Sequence, residues 1–305
     1  MPQGDMNDLV NRALGGPAID ESLLRAEMYP VLEEQMQAQF DSDLENLSTQ
    51  DNTEYLNKVV EAISQSDPAV RDATVERAEA AERNYNEFRA YLEGFNEFPE
   101  AAEVDEDVAL GSYYVRKKPP FFFRMEYGSN SGNASYRSSA DPKSGYLQCF
   151  AEGGGKGGKG YASSTAGVGV CYSPVAPKGI LNIGINPSVF AEGMALSSFC
   201  HSEFKTWLGI QVHKFSHITN KYLGMVGDIG GFVCIDHSNF LGSRCSKKPK
   251  NNYREMHLPV DSNHVYVVFA WVNAFAGGNG SGFLYYGAGI AEIKATVSFM
   301  ELWMV

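Results

Sequence analysis

The spacing of apolar residues changes character once along this chain, near position 110. Upstream, apolar side chains recur every three or four residues, the mark of helices with one buried face. Asp20 is suited to cap a helix carrying Leu23, Leu24, Met28, Val31, Leu32, Met36 and Phe40 at those steps. Pro30 removes an amide donor and crowds the preceding turn, so a kink or a break into two helices is expected there. A second helix is expected after Asp51, with Tyr55, Leu56, Val59, Val60 and Ile63 on one side. The third is the clearest. Asp67 and Pro68 start it, Ala78, Ala81, Tyr85, Phe88 and Leu92 form its seam, and Gly94 is placed to end it in a left-handed conformation. That seam is heptad-like but short, and it predicts a helical hairpin or small bundle packed on itself.

Downstream the step becomes two. Leu181, Ile183 and Ile185 alternate with polar or glycine positions. Phe204, Thr206, Leu208, Ile210 and Val212 alternate with Glu203, Lys205, Trp207, Gly209, Gln211 and His213. Val265 to Phe275 is apolar on both faces, as a strand covered on both sides would be. Gly277 to Gly282 predicts a hairpin turn, followed by a strand with Ile293, Ala295, Val297 and Phe299 on its apolar face and Lys294, Thr296 and Ser298 on the other. Of the 31 glycines, 27 fall after position 110, between short alternating runs. The fold class expected is therefore a helical region (1–96), an acidic linker (97–110) and an all-β sandwich (111–305) of jelly-roll or immunoglobulin-like type.

Charge sharpens the division. Residues 1–110 carry 26 acidic and 7 basic side chains, a net −19, and the remainder carries a net +7. Two surfaces with different partners are expected, with attraction between them as a further consequence. Two basic clusters, Arg116, Lys117, Lys118 and Arg124, and Arg244, Lys247, Lys248, Lys250 and Arg254, read as solvated loops or anion-binding patches. A net +7 on an acidic protein argues against a dedicated nucleic-acid binder. No apolar run is long enough for a transmembrane helix. Met1 to Leu14 has Asp5 and Asp8 and no apolar block, so no standard secretory signal is expected and the chain reads as cytoplasmic or released by another route. The five cysteines, all after position 148, are an odd and irregular set that leaves room for one cross-strand disulfide among buried thiols.

Candidate chemistry is sparse. Gly153 to Gly160 matches the spacing of a phosphate loop, but position 160 is glycine where a hydroxyl must hold the metal, and no helix follows. A hairpin tip is expected, with Lys156 and Lys159 available to an anionic partner. His213 and His217 lie about 13 Å apart along one strand face, too far for one zinc without a bend. No nucleophile elbow and no acid/base carboxylate pair stands out, so an enzyme has little support and no cofactor or metal is expected. Trp207 is the most telling residue, because it falls on the polar side of its strand beside Lys205, Gln211 and His213. An indole there asks for a cover, a ligand or a partner. The expected site is Trp207, Lys205, Gln211 and His213, joined by Lys156 and Lys159. The expected role is a non-catalytic protein that recognises a glycan or protein receptor, with the helices oligomerising or docking it. A structural protein of a larger particle and a membrane-acting toxin are the alternatives.

Overall fold

Asp20 does cap the first helix, its carboxylate accepting from the Leu23 amide at 2.9 Å. The computed structural model describes residues 19–50, 53–95, 97–100, 114–156, 158–174, 176–198, 200–238, 242–248, 252–280 and 285–305. Helix α1 (Glu21–Leu23) runs through a π-helical turn (Leu24–Met28) into α2 (Tyr29–Gln50). Pro30 neither ends nor splits the run. The Tyr29 amide bonds back to the Leu24 carbonyl, so the ladder widens by one residue just before the proline. Helix α3 (Thr53–Ser66) follows, then α4 (Pro68–Gly94), whose Asp67 cap accepts from Ala69. The end of α4 departs from expectation. Gly94 is not left-handed; Phe95 turns extended, and its ring packs on Phe190 at 4.4 Å. Most of the expected linker, residues 101–110, lies outside the described residues.

Fourteen strands follow among the described residues: β1 (Tyr114–Lys117), β2 (Phe123–Gly132), β3 (Ala134–Asp141), β4 (Tyr146–Lys156), β5 (Lys159–Tyr172), β6 (Lys178–Ile185), β7 (Ser188–Ser198), β8 (Ser202–Ser216), β9 (Tyr222–Ser238), β10 (Ser243–Lys247), β11 (Arg254–Asp261), β12 (His264–Asn279), β13 (Tyr286–Thr296) and β14 (Met300–Met304). They form a front sheet β2-β5-β12-β8-β9, a back sheet β10-β7-β13-β4-β3 and a third sheet β1-β14-β6-β11. The consecutive pairs β4/β5, β7/β8, β9/β10 and β12/β13 each place one strand in each large sheet. That two-sheet order is a jelly roll. The turn expected at Gly277 to Gly282 is thus no hairpin: β12 belongs to the front sheet and β13 to the back. Residues 281–284 of that turn lie outside the described residues.

The main core lies between the sheets. Val168, Leu208, Ile210 and Val272 of the front sheet meet Cys149, Ala191, Ile293 and Ala295 of the back, with Leu181, Ile183 and Leu302 closing one end from the third sheet. Strand β12 shows why its sequence is apolar throughout. Val268, Ala270 and Val272 face this core, while Val267, Phe269 and Trp271 face outward under α2. The helices pack chiefly on the sandwich, while α3 and α4 also meet each other, Val60 and Val75 sharing a cluster with Cys200 and Tyr285. Leu24, Met28 and Leu32 cover the front sheet. The seam of α4 covers the back sheet, Ala78 against Leu196 and Tyr286, and Phe88 and Leu92 against Phe150 and Ile290. One ion pair of α4 with the sheet runs against the charge asymmetry, helix Arg89 to strand Glu152 at 2.9 Å. Arg244, in strand β10 and not in a loop, lies over the Phe88 ring at 4.6 Å and pairs with buried Glu192. The polar face of β13 is also buried: Lys294 pairs with Glu292 and donates to the Phe95 carbonyl beyond the end of α4.

Glycines make close backbone contact where the two sheets converge. A Cβ on Gly278 would lie 2.2 Å from the Gly287 carbonyl oxygen, so the strands of the two sheets touch there without room for any side chain. Gly154, at φ +89, makes the exit of β4 toward the Lys156–Lys159 tip. The near phosphate-loop run, of which Gly157 lies outside the described residues, thus joins β4 of the back sheet to β5 of the front. Cys234 of β9 and Cys245 of β10 form a disulfide that joins the front sheet's edge to the back sheet's edge. The remaining cysteines, Cys149, Cys171 and Cys200, are buried.

Candidate functional site

Helix α2 covers only part of the front sheet. It is pinned on the β2 side, where Ser129 donates to Gln37 at 2.6 Å and Tyr29 donates to the Arg124 carbonyl. On the β8 and β9 side it stands away and leaves an open groove of about 670 Å³. Phe40, Gln39 and Asp43 form its helical wall. Trp207, Trp271, Phe275, Asn273 and Gln211 form its floor, with Asp228 and Met225 on the β9 side.

Strand register explains the floor. Tyr127, Thr165, Asn273, Trp207 and Phe232 pair in turn across five strands, so their side chains form one row. The Asn273 amide donates to Thr165 at 2.8 Å and Ser163 at 3.1 Å, which fixes its orientation. Trp207 packs on Phe232 with ring centroids 5.0 Å apart. The next outward position on β8 is Gly209, which pairs with Trp271 on one side and Gly230 on the other. A Cβ on Gly209 would lie 2.6 Å from the Trp271 indole, and one on Gly230 2.9 Å from it. The two glycines therefore leave the space into which that indole extends across β8 toward β9. The outward track of β8 reads Trp207, the Trp271 indole over Gly209, then Gln211, each step about 7 Å at ~3.3 Å per residue.

The polar groups at the far end of this track are incompletely matched. The Gln211 amide donates to Asp228 at 3.4 Å, while its Oε1 is shielded and has no partner. The Trp271 indole N–H faces Asp228 without reaching hydrogen-bond geometry. Partial burial raises the Asp228 carboxyl above its ordinary pKa, and the Gln211 and Trp271 donors oppose that rise. Both atoms, a shielded acceptor and a donor with no aligned partner, lie beneath the surface of the groove floor.

Of the expected site residues, Trp207 and Gln211 meet in this groove. Lys205 lies beside it, paired with Glu203 at 2.9 Å and placed over the Phe275 ring at 5.2 Å. Lys156 and Lys159 sit apart, at the β4–β5 crossing. His213 is also apart: its ring is buried against Phe269 and Tyr222, whose hydroxyl is 3.1 Å from Nδ1. Trp271, which reads from sequence as core, belongs to both the α2 interface and the groove floor. Among the described residues no three His, Cys, Asp or Glu side chains converge as a metal site, and no helix is long and apolar enough to cross a membrane.

Burial lowers the His213 pKa from 6.5 to about 4. The unfolded chain therefore takes up this proton near pH 6.5 and the folded chain only near 4. Stability from this group is complete above 6.5 and declines as pH falls toward 4, by up to about 3 kcal/mol. Urea unfolding of wild type and His213→Phe should diverge in pH slope over that interval, with the variant flatter. Parallel slopes would show that His213 charges in the folded state.

No family model matches the sequence, and no curated protein matches it. Among solved structures, the enzymatically active domain of bacteriophage CBA120 tailspike protein 4 is 9% identical over 60% of this chain and 19% of its own, at a TM-score of 0.24. The N-terminal endo-1,4-β-D-xylanase 10B of Clostridium thermocellum, complexed with xylohexaose, is 5% identical over 63% and 28%, at 0.21. The family 11 carbohydrate-binding module of a Clostridium thermocellum cellulosomal cellulase is 10% identical over 68% and 95%, at 0.18. The chain thus spans 19% and 28% of the first two. Superpositions this loose carry no functional argument, and the site is read from its own residues.

Proposed function

We propose that this chain is a non-catalytic binding protein whose front-sheet groove recognises a glycan. The observation that carries the reading is the floor: the half-buried Trp207 indole on β8 beside the edge of the nearly buried Trp271 of β12, with Asn273 and Gln211 at their flanks. Flat aromatic faces take up the C–H face of a sugar ring, and fixed amides at its rim select hydroxyls. The apolar seams of α2 and α4 are filled by the sandwich itself, so the helices serve chiefly as groove wall and cover. Helix α3 retains exposed Tyr55, Val59 and Ile63 for a docking partner. A disulfide between sheet edges suits a protein that works outside the reducing cytoplasm.

A glycan array probed with the full chain tests this. Binding of at least one glycan is expected, reduced tenfold or more in Trp207→Ala and retained in Trp303→Phe, whose ring packs near Tyr114 on the third sheet. An array without signal, or one indifferent to Trp207→Ala, would overturn the reading.

A second reading, a structural protein of a larger particle, is favoured by one feature. Edge strand β9 exposes Leu223, Val226, Phe232 and Ile235, apolar side chains able to meet another chain. Light scattering would then give a defined large assembly.

A further inference from the structure

The charge around the groove narrows its ligand. Among the described residues that line it, none is Lys or Arg. Two carboxylates, Asp43 on the helical wall and Asp228 on the β9 side, face the cavity. The wall belongs to α2, whose sequence from Tyr29 to Gln50 holds five acidic residues and no basic one. Lys205, the nearest base on β8, is already paired with Glu203. A sulfate, phosphate or carboxylate in this groove would meet like charge, with Lys205 beside it already answered by Glu203.

The remaining groups favour hydroxyls over ammonium groups. Gln35, Gln39, Gln211 and Asn273 line the groove with neutral amides; both Asn273 N–H groups go to Ser163 and Thr165, which leaves its Oδ1 to accept and those two hydroxyls to donate. Asp228 already receives the Gln211 amide, so its negative charge is partly answered from within the protein. The track also has length. Trp207 and Gln211 lie four residues apart on β8, roughly 13 Å at ~3.3 Å per residue, room for more than one sugar ring.

Resting on the glycan reading above, we infer that the groove selects an uncharged oligosaccharide, stacked on Trp207 and Trp271 and oriented by Gln211, Asn273 and Asp228. Asp43 and Asp228 act as the selectivity elements, accepting from hydroxyls and excluding anionic sugars.

The test is calorimetry of the full chain at low salt against cellohexaose, mannohexaose and a β-1,3-linked glucohexaose as neutral probes. Hexagalacturonate and a heparin hexasaccharide are the anionic probes, and a glucosamine hexamer the cationic one. At least one neutral probe is expected to bind tenfold or more tightly than every charged one. Asp228→Asn is expected to narrow the gap to the anionic probes severalfold, and Trp207→Ala to weaken the neutral probe tenfold or more. Anionic or cationic probes binding as tightly as neutral ones, with loss in Trp207→Ala, would overturn this inference while leaving the glycan reading intact. Silence from every probe would overturn the inference, and the array separately decides whether the glycan reading falls with it.

Discussion

Trp271→Ala is expected to lose glycan binding and about 3–5 kcal/mol of stability together. The indole is only 9% exposed and packs in the cluster beneath α2, so truncation empties space that the helix and sheet share. A joint loss does not distinguish floor from core. Gly230→Ala does. Its added Cβ would lie 2.9 Å and 3.0 Å from the far edge of the Trp271 indole, and 3.9 Å from the next atom, the Leu208 carbonyl oxygen. Only the indole has to move. Folding stability should stay within about 1 kcal/mol of wild type, since a strand favours alanine over glycine while the contact opposes it. Affinity should nonetheless fall severalfold, because the second platform tilts. Unaltered affinity in Gly230→Ala would remove Trp271 from the site and leave it a core residue.

Gly278→Ala is expected to be among the most destabilising single methyl additions. The new carbon would sit 2.2 Å from the Gly287 carbonyl oxygen and 2.7 Å from the Ala288 amide nitrogen. Both neighbours are backbone of the facing sheet, so no rotamer change relieves the clash and the sheets must part. A cost of about 3 kcal/mol is expected, lowering the melting temperature by roughly 6–12 °C. Gly94→Ala, with nothing within 4 Å of its Cβ and no left-handed backbone, is the control. It should be neutral or stabilise by up to about 1 kcal/mol. Calorimetric melting of the two variants checks the claim; similar melting would mean that the sheets do not approach each other as described.

Periodicity carried much of the fold. The caps at Asp20 and Asp67, the seam of α4 and the doubly buried β12 were all readable because each rests on local chemistry or on spacing within one element. What was not readable was the partner of each buried face. A seam such as Ala78 to Leu92 looks the same whether it meets a helix or a sheet, and here it meets β7, β4 and β13. Gly277 to Gly282 likewise signals a reversal but not whether the next strand returns to the same sheet. The site was half legible. Trp207 stood out because an indole broke the polar face of β8, and Gln211 came with it by alternation. His213 shares that face by number, yet lies at the end of β8 where Tyr222 and Phe269 enclose it. Trp271 was hidden because its reach to the groove floor depends on glycine at 209 and 230, and the second of these is opposite only once the β8–β9 register is known. A gap in an otherwise large-residue track, at Gly209, was the one signal in the sequence.

The most direct measurement follows emission from the two indoles themselves. The chain has three tryptophans, and Trp303→Phe leaves Trp207 and Trp271 as the reporters. Titrating that variant with the best oligosaccharide from the array should shift its emission saturably, at the affinity that calorimetry gives. Binding by calorimetry without any change in emission would place the ligand elsewhere on the protein and contradict the β8 floor as its seat.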